Sequence, residues 1–143
     1  MEHIKNLFSL KDRVVLISGG AGFLGRVFAK AVSEAGASVV LLDIKDAALK
    51  DAQQELLLDG IDVKVFEVDL TKDLSVSETI KDVVQIFEKV DVLINAAAFA
   101  MADLIAGGDK YFANFEDYEV ELWQSAIDTN LTSTFLLTQK VGA

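Results

Sequence analysis

Three glycines spaced three residues apart are the first feature of the sequence that could do chemistry. Gly19, Gly22 and Gly25 lie in the stretch SGGAGFLG, which begins at the end of the apolar segment VVLIS. Between a strand and a helix, such a loop lets a pyrophosphate approach the backbone, and the helix N-terminus adds a partial positive charge. A flexible turn between the two elements is the other interpretation of the same spacing. The loop alone leaves both interpretations open.

An acidic residue lies where a dinucleotide-binding site has one. Asp43 ends the apolar segment SVVLLD, 18 residues after Gly25. A carboxylate at about this offset accepts hydrogen bonds from the adenosine ribose hydroxyls. It would also repel a 2′-phosphate, so the sequence favours NAD over NADP. Lys45 and Arg26 are close enough in sequence to moderate that preference.

The composition excludes several other classes of site. The chain has no cysteine and one histidine, His3, which argues against disulfides, thiolate chemistry, Ser-His catalysis and metal sites built from these residues. A formal net charge of −10 repels nucleic acid. No apolar run approaches the roughly 20 residues that cross a bilayer, and the N-terminus lacks the apolar core of a signal peptide. We therefore expect a cytoplasmic protein with no metal and no nucleic-acid or membrane partner.

Strands and helices alternate along the chain. Four apolar segments are predicted strands: 14–18, 38–43, 63–68 and 91–95. Three helices are predicted between them: one from Phe23 that stops at Gly36, one over 46–58, and one opened by a capping box, Ser75-x-x-Glu78. This alternation predicts an α/β fold with a Rossmann-like, doubly wound parallel sheet, strand order 3-2-1-4, in three α/β/α layers. One domain over residues 1–143 is expected.

Two helices have apolar residues at helical spacing. In the helix from Phe23, these residues are Leu24, Val27, Phe28, Ala31, Val32 and Ala35. A last helix is predicted from about Glu119, with a common face made of Leu122, Ala126, Ile127, Leu131, Thr134 and Phe135. The stretch from Phe99 to about Asp117 is predicted as a loop. Its aromatic residues are expected to pack at a subunit contact rather than to line a substrate entrance: Tyr111, Phe112 and Phe115.

With the glycine loop, Asp43, Asp69, the segment DVLIN and Asn130, the sequence resembles the short-chain dehydrogenase/reductase family from about Leu10 to Ala143. The resemblance implies that Asp69, in VDLT, contacts the adenine. It implies that Asn95-Ala96-Ala97-Ala98 corresponds to the family motif Asn-Asn-Ala-Gly, which supports the sheet and passes beside the cofactor. Asn130 corresponds to the helical asparagine of the family's catalytic tetrad.

The resemblance implies an NAD(P)-dependent oxidoreductase that transfers hydride between nicotinamide and a small hydroxyl or carbonyl substrate. The family's last helix of this region commonly forms a dimer interface, so a homo-oligomer through this helix is expected. Asn130 is the predicted catalytic residue. The predicted cofactor-binding residues are Ser18, Gly19, Gly22, Phe23, Leu24, Gly25, Asp43, Asp69, Leu70, Asn95, Ala96 and Ala97.

The sequence departs from the family pattern in three places. Phe23 stands where compact members usually carry glycine, and the resulting GxxGxxG is typical of the extended branch, which includes sugar-nucleotide epimerases and dehydratases. Ala98 stands where the family motif has glycine. The family's catalytic serine and Tyr-x-x-x-Lys pair are not found. We therefore expect the N-terminal, cofactor-binding portion of a longer enzyme, truncated after about four strands and inactive alone. An extended-branch enzyme and a non-catalytic nucleotide-binding module are the alternatives.

Overall fold

The computed structural model describes residues 7–98 and 113–143. Its four strands are β1 (Val14–Ser18), β2 (Ser38–Asp43), β3 (Val63–Glu67) and β4 (Val92–Asn95). They form one parallel sheet in the order β3-β2-β1-β4, which confirms the predicted order. The helices are α1 (Phe23–Glu34), α2 (Asp46–Leu58), α3 (Asp73–Phe87), α4 (Val120–Ile127) and α5 (Ser133–Val141). A π-helical turn, Asp128–Thr132, joins α4 to α5.

Strand β1 lies at the centre of the sheet and is buried along its whole length. On one face of the sheet, Leu16 packs in a core with Val76 of α3 and Leu137 of α5. On the other face, Ile17 packs in a second core with Ala29 of α1 and Leu49 of α2. Because both faces of β1 are covered, its sequence is a continuous apolar run with no polar alternation. The three-layer, Rossmann-like α/β fold is confirmed.

Helix α1 buries small residues where the sequence pattern indicated large ones. Gly25 and Ala29 are its buried residues, whereas the side chains of Leu24 and Val27 are 57% and 45% exposed. The first turn of α1 lies directly against the glycine loop, where only small residues fit. Leu24 and Val27 therefore lie in the predicted helix at helical spacing without being buried. Helical spacing identifies an apolar stripe but not how closely the helix approaches its neighbour.

Helix α3 begins earlier than predicted and without a capping box. Its N-cap is Lys72, no side chain caps it, and Ser75 lies inside the helix. Asp73 occupies the first turn, where a carboxylate interacts favourably with the helix dipole. Its Oδ1 also lies 2.9 Å from Nζ of Lys140 on α5. Both interactions favour a start at Asp73, and the predicted capping box is wrong.

The last predicted helix is interrupted by the π-helical turn between α4 and α5. The buried residues of α5 are Ser133 and Leu137, whereas Leu131 and Phe135 are each 61% exposed. A π-helical turn adds one residue to the helix, so the side chains that follow it are rotated out of the ordinary 3.6-residue pattern. Leu131 and Phe135 are therefore not buried together with Ser133 and Leu137.

The segment before α4 is described only in part. Phe115–Asp117 forms a short 3-10 helix within the predicted loop, and Phe115 is 96% exposed. Tyr111 and Phe112 lie outside the described residues, as does His3. Among residues 7–98 and 113–143, no helix has the length and apolar character needed to span a membrane.

The carboxylate of Asp91 connects the beginnings of β1 and β4. Its Oδ2 accepts a hydrogen bond from the backbone N–H of Val14 at 2.8 Å, and its Oδ1 accepts one from Nη1 of Arg13 at 2.7 Å. Nζ of Lys89 lies 3.0 Å from Oδ2. The pKa of Asp91 lies well below its usual value. The hydrogen bond from the Val14 N–H is the largest cause, and the hydrogen bonds from Arg13 and Lys89 lower the pKa further. These contacts stabilise the charged form at the end of the sheet where both strands start.

We expect Asp91→Asn to lower the free energy of unfolding at pH 7. Because the pKa of Asp91 is lower in the folded than in the unfolded chain, its stabilising contribution is complete above the unfolded value. It is lost progressively as the pH falls below 3.8 toward the folded value. Urea unfolding of both proteins at pH 7, 5 and 3 tests this, and the difference between them should shrink at the acidic end.

Asp82→Asn, which neutralises an exposed carboxylate on α3, is the control and should change stability little at any of these pH values. An Asp91→Asn defect that is no larger than the Asp82→Asn effect, or that persists undiminished at pH 3, would contradict the interpretation.

Candidate functional site

A cleft of about 690 Å³ opens at the carboxyl ends of the four strands. The glycine loop after β1 and the first turn of α1 form one wall. Asp43 comes from the end of β2, Asp69 from the segment after β3, and Ala96 from the segment after β4. β1 pairs with β2 on one side and β4 on the other, so this is the point where the strand order reverses and where ligands bind in open α/β sheets.

Most residues of the predicted cofactor site line this cleft. They come from four separate segments of the chain: Gly19, Gly22, Phe23, Leu24, Gly25, Asp43, Asp69, Leu70, Ala96 and Ala97. Three predicted residues do not line it: Ser18, Asn95 and Asn130. Seven other lining residues were not predicted from the sequence: Ala21, Ile44, Ala48, Val68, Thr71, Thr129 and Ser133. Lys45, expected near Asp43, and Ala98, in the motif expected to pass beside the cofactor, also line the cleft.

The glycines of the loop have different physical roles. Gly19 has φ +67°, and a Cβ there would lie 2.8 Å from the backbone oxygen of Ala96. A Cβ on Gly25 would lie 2.4 Å from the oxygen of Gly19, so this glycine allows α1 to pack against the loop. Gly22 is the N-cap of α1, with φ −75°, and a Cβ there would meet one neighbouring atom within 4 Å, the Gly19 oxygen at 3.2 Å. Gly22 is thus the place where the backbone is most open.

A fourth glycine of the loop was missed by the sequence analysis. A Cβ on Gly20 would lie 2.5 Å from the Cβ of Leu41 on β2. The N–H of Gly20 also donates a hydrogen bond to the Leu42 oxygen at 2.9 Å. Gly20 therefore lets the loop pass across the end of β2. The doubled glycine in the sequence was the signal.

Ser18 lies behind the cleft rather than in it. Its side chain is 1% exposed, and its Oγ accepts hydrogen bonds from the backbone N–H groups of Ala96 and Ala97 at 3.1 and 3.2 Å. These bonds hold the segment after β4 beside the glycine loop. Ser18 therefore shapes the wall of the cleft from behind.

Asp43 joins the end of β2 to the glycine loop. Its Oδ2 accepts a hydrogen bond from the N–H of Ala21 at 3.1 Å, and its Oδ1 accepts one from the N–H of Ile44 at 2.8 Å. A carboxylate offers about four acceptor positions, so these bonds leave capacity for hydroxyl donors in the cleft. The carboxylate is thus fixed in place by the loop beside which a ribose would lie.

Asp69 is held by Thr71, which the sequence analysis missed. Oδ1 of Asp69 accepts hydrogen bonds from the Thr71 hydroxyl at 2.6 Å and from its N–H at 3.0 Å. The hydroxyl is the largest cause of a lowered pKa at Asp69, with the N–H and the charge of Lys72 adding to it against burial. An aspartate that bonds the backbone two residues later is a common turn, and the sequence DLT was the signal.

The far wall of the cleft is formed by the residues after β4, by the π-helical turn and by the first residue of α5. Thr129 and Ser133 line it, and the Ser133 hydroxyl donates to the Thr129 oxygen. The side chain of Asn130, between them, is exposed and does not line the cleft. Asn95 donates from Nδ2 to the Thr138 hydroxyl of α5 at 3.2 Å, which ties β4 to that helix. Local unwinding into a π-helical turn often marks a functional site, but the sequence does not reveal it.

The residues of the cleft fit a dinucleotide. The first turn of α1 presents its N–H groups beside Gly22, where a side chain is absent, and an anion there interacts favourably with the helix dipole. The Phe23 side chain is 82% exposed, and Phe23 lines the cleft. Asp43 could accept the hydroxyls of a ribose and Asp69 could accept from an exocyclic amine. With a net charge of −10, the chain must hold an anion through these local groups.

The family model described as short chain dehydrogenase matches residues 13–142. The chain belongs to this family. The match includes the glycine loop, both aspartates of the cleft and the π-helical turn. The resemblance inferred from the sequence is therefore confirmed.

Several named dehydrogenases are similar to nearly all of the chain. An NAD-dependent glycerol dehydrogenase from Listeria innocua is 30% identical over 135 residues, which cover 94% of this chain and 48% of the relative. A 2-dehydro-3-deoxy-D-gluconate 5-dehydrogenase from Bacillus subtilis is 31% identical over 145 residues, with 99% and 51% covered. The crystal structure of an NAD+-bound xylitol dehydrogenase is 26% identical, with a TM-score of 0.76 and 92% and 47% covered. The chain spans about half the length of the curated relatives it matches.

We expect Gly25→Ala to destabilise the protein by about 1–3 kcal/mol, the usual cost of overpacking a close contact. The new methyl group would overlap the Gly19 oxygen and Gly20 Cα, which lie 2.4 and 2.7 Å from its position. Urea unfolding measures the loss. Gly22→Ala is the matched control in the same loop and should cost less, since its methyl group meets one atom at 3.2 Å. Equal losses in the two variants would show that the loop is not held by close packing at Gly25.

Proposed function

We propose that this chain is the cofactor-binding part of an NAD-dependent oxidoreductase acting on a hydroxyl or carbonyl group of a small molecule. The observation that carries the proposal is the hydrogen bond between Asp43 and Ala21, which places a carboxylate against the glycine loop at the strand ends. A ribose acceptor and a pyrophosphate cradle then share one cleft. Membership of the short-chain dehydrogenase family and the dehydrogenases among its relatives support the same activity.

The proposed mechanism assigns each part of the cleft a task. NAD supplies the hydride acceptor at nicotinamide C4 when it is bound. The first turn of α1 binds the pyrophosphate through its N–H groups, and Asp43 accepts hydrogen bonds from the adenosine ribose. Asp69 binds the adenine, and the backbone of Ala96 and Ala97 lines the path of the cofactor. Together these contacts orient the cofactor before any chemistry begins.

NAD is proposed over NADP because Asp43 lies in the cleft and would repel a 2′-phosphate. The Listeria innocua relative is named as NAD-dependent, and the xylitol dehydrogenase is bound to NAD+, which supports this preference. Lys45 also lines the cleft and reduces the repulsion in part.

The proton-transfer step is proposed to need residues outside this sequence. The chain contains no Tyr-x-x-x-Lys, and it spans about half the length of its relatives. Asn130, on the π-helical turn, is proposed to contribute to a proton relay rather than to act as general acid or base. The cytoplasmic location and the single domain over residues 1–143 stay predictions.

We expect Asp43→Asn to weaken NAD binding about tenfold and to bind NADP relatively better than the original protein does. A hydrogen bond to a charged group contributes about 1.5–3 kcal/mol, and removal of the charge also removes the repulsion of a 2′-phosphate. Isothermal titration calorimetry with NAD and NADP measures both dissociation constants.

Asp62→Asn is the control for this measurement, because Asp62 is exposed and precedes β3, at the other end of the sheet from the cleft. It should leave both affinities unchanged. If Asp43→Asn binds both nucleotides as the original protein does, the ribose assignment is wrong.

We also propose that the chain forms a homo-oligomer through its last helices. Three large apolar side chains on this part of the chain are mostly exposed: Trp123 at 60%, Leu131 at 61% and Phe135 at 61%. They lie on three consecutive elements, α4, the π-helical turn and α5, which a second copy could cover. Exposed apolar surface of this kind often marks a protein–protein interface.

We expect Phe135→Glu to shift the protein toward the monomer in sedimentation-velocity experiments. A charge at the centre of an apolar interface must be desolvated when the copies associate, which weakens association by several kcal/mol. Leu58→Glu, at a side chain that is 84% exposed on α2, is the control and should leave the distribution unchanged. If both variants sediment as the original protein does, the interface lies elsewhere.

A further inference from the structure

A second, smaller pocket of about 340 Å³ lies beside the glycine loop, between α1 and α2. Phe23 lines both this pocket and the cleft. The other residues of the second pocket are Arg26, Val27, Lys30 and Glu55. Two cations and a carboxylate therefore lie close to the proposed adenosine end of the cleft without lining it.

Arg26 is bonded to the same loop residue as Asp43. Nε of Arg26 donates a hydrogen bond to the backbone oxygen of Ala21 at 3.1 Å, and the N–H of Ala21 donates to Asp43 at 3.1 Å. Ala21 itself lines the cleft. One residue of the loop thus separates the guanidinium from the carboxylate that would hold the ribose.

Glu55 of α2 holds the other side of the guanidinium. Nη1 of Arg26 donates to Oε2 of Glu55 at 2.5 Å, and Nζ of Lys30 lies 3.5 Å from Oε1. The hydrogen bond from Arg26 is the largest cause of a lowered pKa at Glu55, and the charge of Lys30 adds to it, so Glu55 is a carboxylate at neutral pH. The positive charge nearest to Ala21 is therefore drawn into the second pocket, away from the cleft.

From these contacts we propose that Glu55 is a positioning residue that sets cofactor preference by keeping Arg26 from a 2′-phosphate. This inference rests on the proposed function of the cleft. A guanidinium binds phosphate as readily as carboxylate, since its planar donors match both groups. Glu55 and a 2′-phosphate therefore compete for Arg26, and the carboxylate already occupies it. The preference for NAD then has two causes: repulsion by Asp43 and sequestration of Arg26.

The ion pairs between α1 and α2 provide a matched control. Lys30 also pairs with Asp59, whose Oδ2 lies 2.7 Å from Nζ. The side chains of Glu55 and Asp59 are exposed to similar extents, 45% and 50%. Neutralising Asp59 therefore changes the charge by the same amount, in the same region, without releasing Arg26. Lys45 is present in every variant and does not affect the comparison.

The experiment measures NAD and NADP dissociation constants by calorimetry at low ionic strength, for the original protein, Glu55→Gln, Asp59→Asn and the double variant Arg26→Met/Glu55→Gln. We expect Glu55→Gln to improve NADP binding relative to NAD by about tenfold, because an Arg26 charge becomes available near the phosphate. Asp59→Asn should leave the ratio unchanged, and the double variant should lose the gain. The gain should also decrease in 0.5 M salt, as expected for an exposed ion pair.

The two proposals fail in different ways. If the original protein binds NAD but Glu55→Gln leaves the NADP-to-NAD ratio unchanged, the role of Glu55 alone is overturned. The same holds if Asp59→Asn gives an equal gain, or if the gain persists in the double variant. If the original protein binds neither nucleotide, both proposals are overturned. Glu55→Ala repeats the measurement with a second substitution, and circular dichroism of each variant shows whether the fold is retained.

Discussion

The close packing of the glycine loop is the constraint on which the site depends. Gly19 lies against the backbone of Ala96, and Gly25 lies against the backbone of Gly19, so the chain after β1, the first turn of α1 and the segment after β4 meet with almost no side chains between them. The buried Ser18 hydroxyl stabilises the same junction by accepting hydrogen bonds from the N–H groups of Ala96 and Ala97. Because three segments converge here, the first turn of α1 presents its N–H groups at the carboxyl ends of the strands. Without this contact the cleft would have no wall on the β1 side.

A network of hydrogen bonds extends from that junction toward α2. Asp43, Ala21, Arg26 and Glu55 form an unbroken series of contacts of 2.5 to 3.1 Å. A side chain outside the cleft is therefore connected to the carboxylate inside it. In the arrangement that we propose, the choice between NAD and NADP would depend on the balance of charges around Ala21.

The sequence predicted the sheet and most of the cleft because both depend on strong local patterns. The apolar runs of β1 and β2 have no polar alternation. The glycine loop follows the end of β1, and Asp43 is the last residue of β2, so both can be located from the strands. It could not predict Thr129 or Ser133 as cleft residues, since the π-helical turn that contains Thr129 and leads into α5 at Ser133 has no local signature here. The exposure of Leu24 and Val27 could not be read from the sequence for another reason. The approach of α1 to the loop is decided by tertiary contact at Gly25 rather than by the periodicity of the helix.

The contacts of Asp91 lie at the opposite end of the sheet from the cleft. They join the start of β1 to the start of β4 through Val14 and Arg13, while every residue proposed to bind the cofactor lies at or beyond the strand ends. The anchor at Asp91 and the cleft are therefore separated by the length of a strand. Cleft residues outside the packed glycine loop, such as Ile44 and Lys45, can change while this anchor stays intact, so a duplicated copy of this gene could acquire a new specificity before it lost the ability to fold.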